Sequence, residues 1–323
     1  MEQLKHYWAV LKKTLAAKII RDVVNGFIDD NVLLYAASIA FYAIFSLPAV
    51  LILIVFVGSV FYGEKAVQGQ LYEQIATHVG PNIALQIEKI LKNVEISDAG
   101  AIAKTVGIAT LLFSATTVFV NIQIALNEIW GVRAKPKKGW LKLIIDRLFS
   151  FAVVGSLGLI LLASLLVDTI LTVSQPFLMR FFSDYTVYLL QTASFVLLLA
   201  LLTTIFTTVF KVLPDAKIRW RDVWVGALVT TLLFVLGKEL IGLYLRSSTL
   251  SSAYGAAGSL VVLLIWIYYS SVIFLVGAEF TKVYTQRVGR AIRPKKNAVR
   301  VIKKEIEREE KASKQVPETK PVK

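Results

Sequence analysis

The chain has 323 residues, of which 56% are hydrophobic and 18% charged, with a formal net charge of +14 and no cysteine. A soluble domain is nearer ~45–50% apolar and ~25% charged, so part of this chain is built to be solvated by lipid. The absence of cysteine excludes disulfides, thiolate metal sites and cysteine nucleophiles, and only two histidines, His6 and His78, are present, far apart, which argues against a histidine zinc site or a Ser-His-Asp triad.

From the N-terminus, Leu4, Tyr7, Trp8, Leu11, Leu15, Ile19, Val23 and Phe27 recur at three- and four-residue spacing, with Lys5, Lys12, Lys13, Lys18 and Arg21 between them. This predicts an amphipathic helix. It suits a helix at the cytoplasmic surface beside anionic lipid head groups, and equally one packed on a bundle. Residues 1–32 are read as this cytoplasmic segment, with no removable signal peptide.

Six apolar blocks follow, at residues 33–62, 101–126, 148–173, 187–210, 223–245 and 256–283. Each has the ~20 apolar residues a helix needs to cross a ~30 Å hydrocarbon core. Lipid offers no partner for backbone amides, so such single segments cross only as helices. The fold class is therefore all-α: a polytopic integral membrane protein with a six-helix transmembrane domain over residues 33–284. Lys and Arg alternate with loop number. The N-terminal segment, residues 127–147, residues 211–222 and the stretch from Lys282 onward hold 29 of them, whereas the opposite loops hold five. That asymmetry places both termini in the cytoplasm. The external loop 63–100 is mildly acidic and predicts two short helices broken at Gly80-Pro81-Asn82. The basic tail, 285–323, predicts a charged helix over 299–314 followed by disorder. The basic charge is thus a property of cytoplasmic loops, and no nucleic-acid partner is expected; the expected partners are membrane lipids, with anionic head groups at the basic segments, and further copies of the chain.

Within the first span, Ala36, Ala37 and Ala40 allow close helix approach, and Pro48 predicts a kink or hinge. Asn121 and Gln123, near the end of the second, need polar partners at hydrocarbon depth. Glu128 is expected at the cytoplasmic boundary, and Trp130 as an interfacial anchor. Lys238 and Glu239 in the fifth span lie at a level similar to Asp168 in the third. Charges at mid-bilayer cost at least ~2.5–3.5 kcal/mol each on insertion scales, so either these three form a polar pathway, or Lys238 reaches to the outer interface while Glu239 caps a network. In the sixth span, Gly255 and Gly258 open a run of small residues suited to packing. Gly277 and Glu279 close it, with Arg133 or Arg287 as candidate partners for Glu279.

No catalytic spacing survives inspection: there is no phosphate-binding G-x-x-x-x-G-K-[ST], no H-E-x-x-H and no G-x-S-x-G. No enzyme activity, cofactor or metal is expected. The run Ala36–Pro48, the segment Asn127-Glu128-Ile129-Trp130-Gly131-Val132, and Tyr254-Gly255-Ala256-Ala257-Gly258-Ser259 with Gly277-Ala278-Glu279 together resemble the YihY/virulence factor BrkB family, over residues 15–290. The resemblance implies a six-span inner-membrane protein of bacteria and carries no catalytic residues with it. Members once bore the name ribonuclease BN. RNA cleavage would call for metal-holding carboxylates or a histidine acid–base pair, and neither is visible. Two expectations remain: transport or efflux of a small solute, ion or lipid, and organisation of the envelope by binding lipids or partner proteins.

Overall fold

The computed structural model describes residues 15–62, 69, 72, 85, 88, 101–135, 185–247, 257–289 and 291–301. The third expected span with Asp168, nearly all of the external loop, Gly255 and the tail beyond residue 301 lie outside the described residues.

Six helices are described: α1 (Leu15–Asp29), α2 (Val32–Tyr62), α3 (Ala101–Ile129), α4 (Tyr185–Val212), α5 (Trp220–Ser247) and α6 (Gly258–Arg287). At ~1.5 Å rise per residue, helices of 28 to 31 residues exceed the ~30 Å hydrocarbon thickness. Among the described residues three helices, α4, α5 and α6, are long and apolar enough to cross a membrane, or four if α1 and the first half of α2 count as one bent span.

The fold departs from all-α in four short strands: β1 (Val132–Ala134), β2 (Ala216–Lys217), β3 (Arg293–Pro294) and β4 (Ala298–Arg300). β1 pairs antiparallel with β4, and β2 with β3. The helix expected from residue 299 is thereby corrected at its start. Three residues are too few to show strand periodicity in a sequence, and here β1 supplies the backbone groups that residues 298–300 pair with. The two ladders hold residues 132–134, 216–217 and 293–300 together at one end of the bundle. These are three of the segments whose positive charge assigned them to a common side.

α6 is the hub. It packs on α1, α2, α3 and α5, and Phe274 reaches α4 through Phe206 and Phe210, at ring-centroid distances of 6.0 and 5.1 Å. Trp130 stands edge-on to Phe210 at 6.2 Å, is buried, and donates from Nε1 to the Ala278 carbonyl at 3.4 Å. Trp130 is thus a core residue rather than the interfacial anchor expected of it, because the turn after α3 folds it back under α6. Among the described residues the indoles exposed at this end are Trp220, with Lys211 Nζ 5.2 Å from its ring centroid, and Trp224.

Between lipid-solvated helices there is little hydrophobic drive, so close backbone approach and shape matter most. α5 and α6 meet through a reciprocal pair of notches. A side-chain carbon added at Gly277 would overlap Thr230, and one added at Gly226 would overlap Thr281. Each threonine donates to the carbonyl of the glycine four residues before it in its own helix, Thr230 to Gly226 at 2.8 Å and Thr281 to Gly277 at 2.7 Å. Gly-x-x-x-Thr on α5 thus interlocks with Gly-x-x-x-Thr on α6. The packing role expected of Gly277 is this one. Gly258, the first residue of α6, is buried. On the other side of α5, Leu228, Leu232, Leu236 and Leu240 form an exposed row at four-residue spacing, as a lipid-facing side should.

Candidate functional site

A group of charged side chains lies at the end where the described loops and tail meet. α1 stops at Asp29, and Asn31 takes a left-handed conformation at φ 51°. Asparagine tolerates this better than most residues because its short polar side chain bonds locally. The amide of Asp30 still bonds the Gly26 carbonyl at 2.9 Å, while those of Leu34 and Tyr35 already bond Asn31. One helix therefore ends and the next begins within two residues, with a bend of 62° between them. The corner delivers Asp30 to the last turns of α6.

There Lys282 Nζ contacts Asp30 Oδ2 and also Glu279 Oε2, the latter at 3.2 Å. Glu279 is completely buried, and its second oxygen, Oε1, has no hydrogen-bond partner among the described residues. Gly26 of α1 gives this carboxylate its room: a Cβ there would sit 2.6 Å from Glu279 Oε2. One turn further, Arg287 donates from Nε to Asp22 Oδ2 at 2.7 Å and from Nη2 to the same oxygen. α1 is thus fastened to α6 by two ion-pair groups with Gly26 between them. Arg287 belongs to Asp22, and Arg133 sits exposed in β1, so neither is the partner of Glu279. Lys282, three residues along the same helix, takes that place.

Beside the cluster opens a pocket of about 190 Å³, whose lining includes Asp30, Glu128, Trp130, Lys282, Gln286 and Arg300. Gly131, at φ 61°, turns the chain out of α3 into β1, and its carbonyl accepts from the Val301 amide at 2.8 Å. The pocket is roofed by that junction. Two carboxylates and two cations line a volume that suits a small polar or ionic group. Among the described residues no group of three or more His, Asp or Glu could hold a metal ion.

The remaining sequence candidates are distributed around this site. Gln123 Nε2 and Asn127 Nδ2 both donate to Asp215 Oδ2, at 3.3 and 2.9 Å, and Asn127 Oδ1 accepts from the Asp215 amide at 2.8 Å. The Asp215 carbonyl accepts from Lys295, so Gln123 finds its partner in a joint between α3, the α4–α5 loop and the tail. Asn121 accepts from Ser38 on α2 at 3.3 Å and donates to Thr117 at 3.0 Å. Pro48 lies inside α2, and the helix continues through it to Tyr62. One carbonyl near the proline is used across helices, since Ser114 of α3 donates to Phe45 at 3.3 Å. Lys238 and Glu239 pair with each other at 3.4 Å, with Glu239 mostly exposed. The structure does not bring them to Glu279. Sequence reading missed Asp30, Lys282 and Gly26. Asp30 and Lys282 stand 252 residues apart, and no local pattern links them. The Gly-x-x-x-Thr spacing on α5 and α6, by contrast, was there to be found.

Long apolar helices joined by charged caps at one end define a polytopic helical membrane protein. The chain belongs to the virulence factor BrkB family, whose sequence profile matches residues 23–301. It is 30% identical over 258 residues to a UPF0761 membrane protein of Verminephrobacter eiseniae, covering 78% of this chain and 58% of that one. It is 28% identical over 278 residues to a UPF0761 membrane protein of Legionella pneumophila, covering 84% and 64%. To one of Alteromonas mediterranea it is 27% identical, covering 81% and 87%. The match therefore spans about three fifths of the length of the first two relatives. No solved structure matches the chain.

Proposed function

We propose that the protein is a non-enzymatic, six-span carrier of the bacterial inner membrane, with both termini cytoplasmic, that moves a small solute, ion or lipid. The Asp30–Lys282–Glu279 cluster stands at its cytoplasmic mouth. The observation that carries this reading is Glu279: a wholly buried carboxylate in a spanning helix, with one oxygen unsatisfied among the described residues, one ammonium removed from a charged pocket. An ionisable group inside a spanning segment is costly and by default marks a pathway. The meeting of three positively charged segments at one end supports the orientation. The test is flux in liposomes. Native protein should move a solute, ion or lipid above empty vesicles, and Glu279→Gln, which keeps shape and a hydrogen bond, should lower that flux at least tenfold while the protein stays folded. No flux from native protein over a broad panel of cargoes would sink the reading.

A second reading, envelope organisation through lipids or partner proteins, draws on two observations: α5 and α6 interlock tightly, and Lys238 with Glu239 lies away from the pocket. Reproducible crosslinks from loop 63–100 to one partner, with no flux, would favour it.

A further inference from the structure

α1 carries more apolar surface than the bundle covers. At ~100° per residue, Ile19, Val23, Gly26 and Asp30 share the side turned to α6, where Ile19 and Asp30 are buried. The next row round the helix is Ile20, Val24 and Ile28, at 65%, 54% and 67% exposure. Beyond that row come Arg21, Asn25 and Lys18, all exposed. α1 therefore has three strips: one docked on α6, one aliphatic and open, and one basic. Packing on a bundle needs a single apolar stripe about 100° wide, and here the apolar sector runs on well past the docked strip.

Two further features say what covers the open strip. The 62° corner at Asp30–Asn31 turns α1 off the axis of α2, so that with α2 upright in the bilayer α1 runs nearer the membrane plane than its normal. Lys18 and Arg21 put positive charge along one border of the aliphatic row, and Leu34, just past the corner on α2, continues exposed apolar surface into the span. An aliphatic strip beside a basic strip, on a helix turned toward the membrane plane, matches a bilayer boundary: acyl chains on one flank, anionic phosphates on the other.

We propose that α1 lies in the head-group layer of the leaflet at the packed end of the bundle. Ile20, Val24 and Ile28 enter the acyl region, and Lys18 and Arg21 engage the phosphates of anionic lipids. This rests on the membrane embedding of the protein and not on transport, so it stands or falls independently of flux. The docked strip couples the leaflet to the site, because the helix that touches the lipid is the one that carries Gly26 and Asp22 and leads into Asp30.

The cysteine-free chain permits a direct test. Single variants Ile20→Cys, Val24→Cys, Ile28→Cys, Lys18→Cys and Asn25→Cys of the full chain are labelled with an environment-sensitive fluorophore. They are reconstituted in phosphatidylcholine vesicles with or without phosphatidylglycerol. Labels at 20, 24 and 28 should be quenched several-fold more by a nitroxide placed shallow on the acyl chain than labels at 18 and 25, and the order should reverse with aqueous iodide. Phosphatidylglycerol should strengthen the acyl quenching, and Lys18→Gln with Arg21→Gln should abolish that gain. Iodide reaching 24 and 28 as readily as 25 would overturn the proposal, and so would exclusion of both quenchers, which would mean that another stretch of chain or a second copy covers the row. A label-free variant guards against misfolding. Ile20→Ser/Val24→Ser/Ile28→Ser should melt as the native chain does in detergent but earlier in anionic vesicles. Equal loss in both media would mean that the row packs on protein, and would overturn the proposal as well.

Discussion

At the scale of single residues, the fastening of α1 to α6 turns on Gly26. Its missing side chain is what lets the Glu279 carboxylate lie under α1 while Lys282 bridges it to Asp30. Gly26→Val should push Glu279 away from Lys282 and destabilise the packed end by about 1–3 kcal/mol, the usual range for overpacking. The melting temperature in detergent should fall, with Gly26→Ala intermediate. If Gly26→Val melts like the native chain, the close approach of α1 to Glu279 is not what holds this corner. Lys282→Met removes the ammonium that, among the described residues, bridges the buried Asp30 and Glu279 carboxylates, and should cost more, about 3–5 kcal/mol, the range for breaking a buried pair. Replacing all three members of the cluster with apolar residues of similar volume should recover much of that loss. A stability series over the single and triple variants would check it.

At the scale of elements, the joint between α5 and α6 makes a sharper demand. Gly277→Ala places a carbon where Thr230 stands, and should weaken the helix pair. Thr230→Gly vacates the same place from the other side, so the double variant should be more stable than the sum of the two single losses implies. A coupling of about 0.5–3 kcal/mol is the range for touching residues. Additive losses would mean that the two positions do not interlock. Much of this level was legible in the sequence. Block length located the described long helices, and Gly277 stood out as a candidate packing position. The second apolar row of α1 is masked in the sequence by the four-residue stripe Leu15, Ile19, Val23 and Phe27, because Ile20, Val24 and Ile28 alternate with Lys18, Arg21 and Asn25. Lys238 and Glu239 attracted attention by being adjacent charges in an apolar block, yet their proximity in sequence is what lets each satisfy the other locally.

At the scale of the whole molecule, what the sequence could not display is the seam of loops and tail. Asp30 meets Lys282, Asn127 meets Asp215, and Val132 meets Arg300 across separations that no periodicity records. Charge counting brought these segments to a common side but could not foresee that they would hydrogen-bond into two ladders. The seam has a measurable weight. Deleting residues from 291 onward removes β3 and β4 and strips the backbone partners from β1 and β2. Limited proteolysis of such a variant should then cut near residues 132–135 and 214–218, which the native chain protects. Unchanged protection would show that these turns hold themselves.

The position of the two strands in chain order has one more consequence. β3 and β4 lie downstream of every described helix, so a ribosome delivers them after α1 through α6 have left it. Until then the turn after α3 and the turn after α4 wait without their ladder partners, and Arg300 is missing from the rim of the pocket. The bundle can enter the lipid early, but its charged pocket is finished late, by an event that waits for residues 293–300. A nascent chain stalled before residue 290 would therefore hold an inserted bundle whose pocket lacks its Arg300 rim.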